Sequence, residues 1–105
     1  MTSSELIHIL SRHQGAANGV GAAALAHTYG VPERLIRQLV TNLRQEGMAI
    51  CAHPTTGYFI PTTPQELSES CEFLEHRALK SLHLVSRMKN VSLPTLLGQL
   101  ALNQA

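Results

Sequence analysis

The chain contains no tryptophan and no aspartate, and aromatic residues make up only 4% of its 105 positions. A core without large rings must be built from Leu, Ile, Val and Ala. Charged residues are scarce as well, at 14%, where an average domain carries about a quarter. Eight Lys and Arg stand against seven Glu, for a net charge of +1. That balance excludes the strong basic excess of a non-specific nucleic-acid binder, so any nucleic-acid role rests on where the charges sit. Two cysteines, Cys51 and Cys71, are too few for a disulfide framework. No apolar run reaches the ~18 residues of a membrane span, and no cationic start with an apolar stretch and cleavage site is visible. A cytoplasmic protein without membrane contact is expected. Internal repeats and low-complexity tracts are also missing.

The chemistry-bearing motifs are equally sparse. There is no G-x-S-x-G elbow, no phosphate loop and no dinucleotide fingerprint. Ser, His and Glu are present, but nothing in their spacing marks a triad, so no catalytic residues and no enzyme are expected. Cys51, His53, Cys71 and His76 are four possible metal ligands, yet they lack the paired short spacing that zinc sites favour. No metal and no cofactor are expected. Cys51 reads as a small core residue and Cys71 as part of a helix seam.

What the chain has is helical periodicity with clear punctuation. Ser3 or Ser4 can cap a first helix carrying Leu6, Ile7, Ile9 and Leu10, with Glu5 at the positive end of its dipole. Gly15 to Gly21 reads as a flexible connection with three glycines. Ala22 to Tyr29 is a short second helix, stopped by Gly30. Pro32 then fits the first turn of a third helix, Pro32 to Glu46, with Ile36, Val40 and Leu43 at helical spacing and Leu35 and Leu39 beside them. Gly47 ends it. Met48 to His53, a Pro54–Gly57 turn and Tyr58 to Ile60 read as a hairpin, closed by Pro61.

From Pro64 to about Asn90 the pattern changes. Leu67, Cys71, Leu74, Ala78, Ser81, Val85 and Met88 recur at alternating spacings of four and three, with Leu79 and Leu82 alongside. The spacing predicts one long helix of about 26 residues, or ~39 Å. After Asn90, Ser92 can cap a short terminal helix with Pro94 in its first turn.

Helix, tight turn, helix and hairpin, in that order, are the parts of a helix-turn-helix with a wing. The second helix of such a unit faces the major groove. On Pro32–Glu46, Arg34 and Arg37 suit guanine edges or phosphates, Gln38 suits adenine, and Thr41 suits a phosphate or a thymine methyl. Glu33 can accept from a cytosine amine or serve the helix start, and Arg44 adds a phosphate-binding cation. At the hairpin tip, His53, Thr55 and Thr56 can touch the sugar-phosphate backbone, without help from any Lys or Arg. Tyr58 is expected to pack the hairpin onto the helices.

Leu25, Thr28, Gly30, Ile36, Leu43-Arg44, Gly47 and the closing Gly57-Tyr58-x-x-Pro61 carry a further signal. Through them, residues 24–61 closely resemble the N-terminal DNA-binding domain of the biotin operon repressor and its winged-helix relatives. The resemblance implies a three-helix winged fold, DNA binding through the helix matching Pro32–Glu46, and dimers on two half-sites. It covers no ligase domain and so implies no biotin chemistry. Its recognition-helix surface differs, so it implies no operator sequence.

The expected fold class is therefore mainly α with a small β-hairpin: a winged helix-turn-helix over 1–63, and a C-terminal helical dimerisation segment over 64–105. Leu67, Cys71, Leu74, Ala78, Leu82, Val85 and Met88 are the expected dimer contacts. The expected partners are double-stranded DNA and a second copy of the chain, with the role of a small transcriptional regulator. The sequence leaves open whether a small-molecule effector exists. The competing expectation is an interaction module that joins a larger assembly, such as a replication or chromatin complex, through its apolar tail.

Overall fold

Thr2, rather than Ser3 or Ser4, starts the first helix of the computed structural model, which describes residues 1–103. Thr2 alone among these three has a glutamate three residues on. Its hydroxyl accepts from Glu5 N–H (3.2 Å), and the Glu5 carboxylate accepts from Thr2 N–H (3.4 Å). This reciprocal capping box satisfies two orphan donors at once. Helix α1 then runs Ser3–Leu10, α2 Ala22–Tyr29 and α3 Glu33–Gln45. Strands β1, Cys51–His53, and β2, Gly57–Phe59, precede α4, Pro64–Lys89, and α5, Leu93–Asn103. The architecture is mainly α with one antiparallel hairpin and one long helix, as the periodicity predicts.

The residues divide into two compact units, one spanning Met1–Cys71 and one beginning at Glu72. In the first unit, Leu6, Leu10, Ala22, Leu25, Ile36, Leu39, Val40, Leu43 and Ile50 form the buried cluster, aliphatic throughout. Tyr58 packs against it at half-burial. Gly30 caps α2 in the left-handed conformation (φ 64°), and Val31 N–H returns to the Ala26 carbonyl (3.1 Å). Pro32 stands one position outside α3 in an extended conformation, so the helix begins at Glu33. Gly47 (φ 92°) closes the other end, where Met48 N–H reaches the Leu43 carbonyl (3.0 Å). That bond completes the helix stop. It is why Met48 and Ala49 lie outside β1, although their alternation suggested a longer strand.

The connection from Gly15 to Gly21 differs from expectation. It is not a flexible link. Ala16–Asn18 form a 3₁₀ turn, and Val20 pairs antiparallel with Tyr58 through two backbone hydrogen bonds of 2.8 Å. Gln14 bridges Ile60 in parallel: Ile60 N–H donates to the His13 carbonyl and Gly15 N–H to the Ile60 carbonyl, at 2.8 Å each. The outer edge of β2 needs partners for its N–H and C=O groups, and this connection supplies them.

The first turns of α4 belong to the same unit. Thr63 caps the helix by accepting from Glu66 N–H (3.2 Å). The Glu66 carboxylate does not close the usual box. It accepts from Ala16 N–H (2.6 Å), Thr62 N–H (2.8 Å) and the Thr62 hydroxyl (2.8 Å). These donors, led by Ala16 N–H, hold its pKa below the usual carboxylate range. A depressed pKa means stability that is fully present above the ordinary glutamate value of about 4.3 and is lost as pH falls through the lower folded value. Glu66→Gln should therefore unfold at lower urea than the parent at pH 7. Urea titrations across pH should show that gap closing below about pH 4. A gap independent of pH would contradict the assignment.

Ser70, also buried, accepts from Ala52 N–H through its hydroxyl (3.2 Å), and Cys51 is buried with its thiol directed at the Glu66 carbonyl (3.9 Å). Burial pushes the Cys51 thiol up, as suits a core residue. Beyond Ser70, α4 is exposed along most of its length. It ends at Asn90 in the left-handed conformation (φ 56°), with Val91 N–H bonded to the Ser86 carbonyl (2.9 Å). Ser92 caps α5 as expected, accepting from Thr95 N–H (3.3 Å), and Leu96 is fully buried. Among the described residues, no helix is long and apolar enough to cross a membrane.

Candidate nucleic-acid interface

Helix α3 sorts its residues cleanly between two sides. Ile36, Leu39, Val40 and Leu43 are buried, whereas Glu33, Arg34, Arg37, Gln38, Thr41 and Gln45 are exposed. At about 100° per residue, Arg34, Gln38, Thr41 and Gln45 form one stripe opposite the buried side. Arg37 flanks it. Gln45 extends the stripe beyond the residues expected from sequence. Its signal is the continuation of the i, i+4, i+7 spacing from Arg34 to i+11. The N-terminal part of this stripe borders a shallow depression of about 390 Å³ lined by Pro32, Arg34, Leu35 and Gln38.

The charges on this surface are not all free. Arg37 pairs with Glu33 across one turn (3.4 Å), both side chains being largely exposed. Such a pair is worth at most about 1 kcal/mol in water, so Arg37 can leave it for a stronger anion. Thr41 donates its hydroxyl back to the Arg37 carbonyl (3.1 Å), so that proton is already engaged. Arg34 has no acidic partner among the described residues.

Arg44 stands apart from the others. It is half-buried, its Nε donates to the Ile50 carbonyl (2.8 Å), and its guanidinium lies 6.0 Å from the centre of the Tyr58 ring. It joins the end of α3 to the start of the hairpin, with only its terminal nitrogens left for a phosphate.

At the hairpin, the register is Cys51 to Phe59, Ala52 to Tyr58 and His53 to Gly57. His53 and Thr55 are exposed at the tip, where the His53 Nδ1 accepts from Thr55 N–H (3.1 Å). Thr56 is not on that outer surface. Its hydroxyl oxygen is buried without a hydrogen-bond partner, beside Gly19. The structure thus brings together Glu33, Arg34, Arg37, Gln38 and Thr41 on one helix and His53 and Thr55 on one tip, and turns Thr56 inward. Among the described residues no group of three or more His, Cys, Asp or Glu is placed to hold a metal ion.

On α4, Leu67, Leu74, Ala78 and Val85 fall within about 40° of one another at about 100° per residue, with Cys71 and Met88 at the edges of the same stripe. Glu75 borders it on one side and Arg77 on the other. Leu67, Leu74, Val85 and Met88 are all exposed, Met88 by 86%. Leu82 is half-buried and lies at the margin. The chain matches no family model, no curated protein and no solved structure.

Proposed function

We propose that this chain binds double-stranded DNA sequence-specifically, as a small dimeric transcriptional regulator of the cytoplasm, and that residues 1–63 act as a winged helix-turn-helix. The observation that carries the reading is the exposed stripe Arg34, Gln38, Thr41 and Gln45, with Arg37 beside it, on a helix whose opposite side is anchored in the core. Arginine and glutamine are the side chains that read guanine and adenine bidentately, each such pair being worth about 1–3 kcal/mol of discrimination. His53 and Thr55 on the hairpin tip supply contacts to the DNA backbone without help from any Lys or Arg. With so few cations one copy binds weakly, and the α4 stripe supplies the means to present two copies.

The exposed apolar stripe of α4 supports the pairing. A stripe of Leu67, Leu74, Val85 and Met88, all exposed and without an intervening charge, has the composition of a two-helix seam. Selection of bound duplexes from a random pool tests the whole reading. The expected result is a palindromic site with half-sites about 34–36 Å apart or a multiple of that spacing. Failure of any sequence to enrich would contradict it.

One observation favours a second reading, in which the chain is a protein-interaction module of a larger assembly. Phe73 (51% exposed) and Leu84 (61%) lie well off the seam, where a single pair of helices leaves them uncovered. Retention on random duplex at low salt separates the two readings, since the module has no reason to be retained.

A further inference from the structure

A groove of about 550 Å³ opens between α1 and the end of α2, lined by Ser4, Glu5, His8, Ile9, Arg12 and Tyr29. It shares no residue with the α3 stripe or the α4 seam. Ser4 and His8 lie on one face of α1 four residues apart, and Arg12 continues the line in the turn beyond Leu10. Half-buried Ile9 and the 45% exposed ring of Tyr29 form the apolar wall.

The groove carries one guanidinium, Arg12, and one carboxylate, Glu5, seven residues apart along the chain. Glu5 is engaged in the capping box, where its carboxylate accepts from Thr2 N–H (3.4 Å). Neither His8 nor Arg12 has an acidic partner among the described residues. The Glu5 carboxylate is turned to its own helix start, so the unpaired Arg12 guanidinium is left to take a planar carboxylate whose ring lies against the exposed phenol of Tyr29. The volume falls within the roughly 300–1,000 Å³ of small-molecule pockets.

We propose that this groove binds a small aromatic carboxylate. Arg12 holds the carboxylate, His8 one turn away donates beside it, and Tyr29 with Ile9 covers the ring. Tyr29 is the last residue of α2 and directly precedes Gly30, whose left-handed turn leads into α3. An occupant of the groove therefore touches the residue adjoining the turn that sets the direction of α3. The site stands on its own geometry, whether or not α3 binds DNA.

The test uses salicylate as probe and the full chain, without DNA, followed by backbone amide NMR shifts. Saturable shifts confined to residues 4–12 and 29–31 are expected, with a dissociation constant on the order of 1 mM. Arg12→Ala and Tyr29→Ala should each weaken binding by about tenfold or more, with the remaining spectrum unchanged because both side chains are exposed. Benzyl alcohol, which keeps a ring but lacks the carboxylate, should bind at least about tenfold more weakly than salicylate. No saturation by about 10 mM salicylate, shifts centred elsewhere, or an affinity unmoved in Arg12→Ala would each overturn the proposal. Loss of duplex affinity in Arg12→Ala without salicylate binding would also overturn it, and would assign this cation to the phosphate backbone.

Discussion

Gly57→Ala should destabilise the first unit by about 3 kcal/mol or more, among the largest effects of any single substitution in this chain. A β-carbon at Gly57 would lie 2.5 Å from Gly21 N and from the carbonyl carbon and oxygen of Val20. All three are backbone atoms and cannot swing aside. They belong to the stretch that pairs with Tyr58, so the clash falls on the hydrogen bonds that tie the helices to the hairpin. The backbone of Gly57 is also left-handed, at φ 96°, which adds the steric cost of any side chain there. Gly30→Ala provides the comparison. It too has a positive φ of 64°, but nothing lies within 4 Å of the added carbon. It should cost only about 1–2 kcal/mol. Urea unfolding followed by circular dichroism measures both. A Gly57 variant no worse than the Gly30 variant would show that the close crossing carries no weight.

Leu74→Lys with Val85→Lys should halve the native mass of the protein in solution. Both residues lie on the α4 seam, and two ammonium groups per copy in that seam repel and cannot be desolvated cheaply. Both side chains are exposed in the single chain, so the helix itself should survive with its circular dichroism unchanged. Sedimentation at about 10 µM should then give a dimer for the parent and a monomer for the variant. Duplex affinity should fall by about 10²–10⁴, the contribution of linking two binding units at a fixed spacing. A parent that sediments as a monomer would contradict the seam, as would a variant that stays dimeric.

The helices were legible because their signals are local. Gly30, Pro32 and Gly47 mark the ends of α2 and α3 within a residue or so, and the spacing of Ile36, Val40 and Leu43 names the buried side of α3. The 26 residues of α4 follow from the seven-residue rhythm alone. What remained hidden depends on partners distant in sequence. Three glycines between Gly15 and Gly21 signal freedom locally, but Tyr58 and Ile60, some 40 residues on, recruit that stretch as a strand-like edge. Thr63 and Glu66 show the pattern of a capping box, yet the acid reaches Ala16, which no local pattern reveals. The same holds for the candidate interface. Arg34, Arg37, Gln38 and Thr41 could be placed by helical spacing. The bond from Arg44 to Ile50 and the inward turn of Thr56 depend on how the hairpin meets α3 and the connection before α2.

The exposed stripe of α3 is tested most directly by the salt dependence of duplex binding, measured for the parent and for Arg34→Ala with Arg37→Ala. Both side chains are exposed, and their one ion pair is a surface pair, so the variant should fold as the parent does. If these arginines contact the duplex, affinity should drop at least about tenfold, with about 1–3 kcal/mol at stake for each bidentate base contact. The slope of log affinity against log salt should also flatten by about 0.9 for each phosphate contact removed. Equal affinity and equal slope in parent and variant would contradict the placement of this helix against DNA.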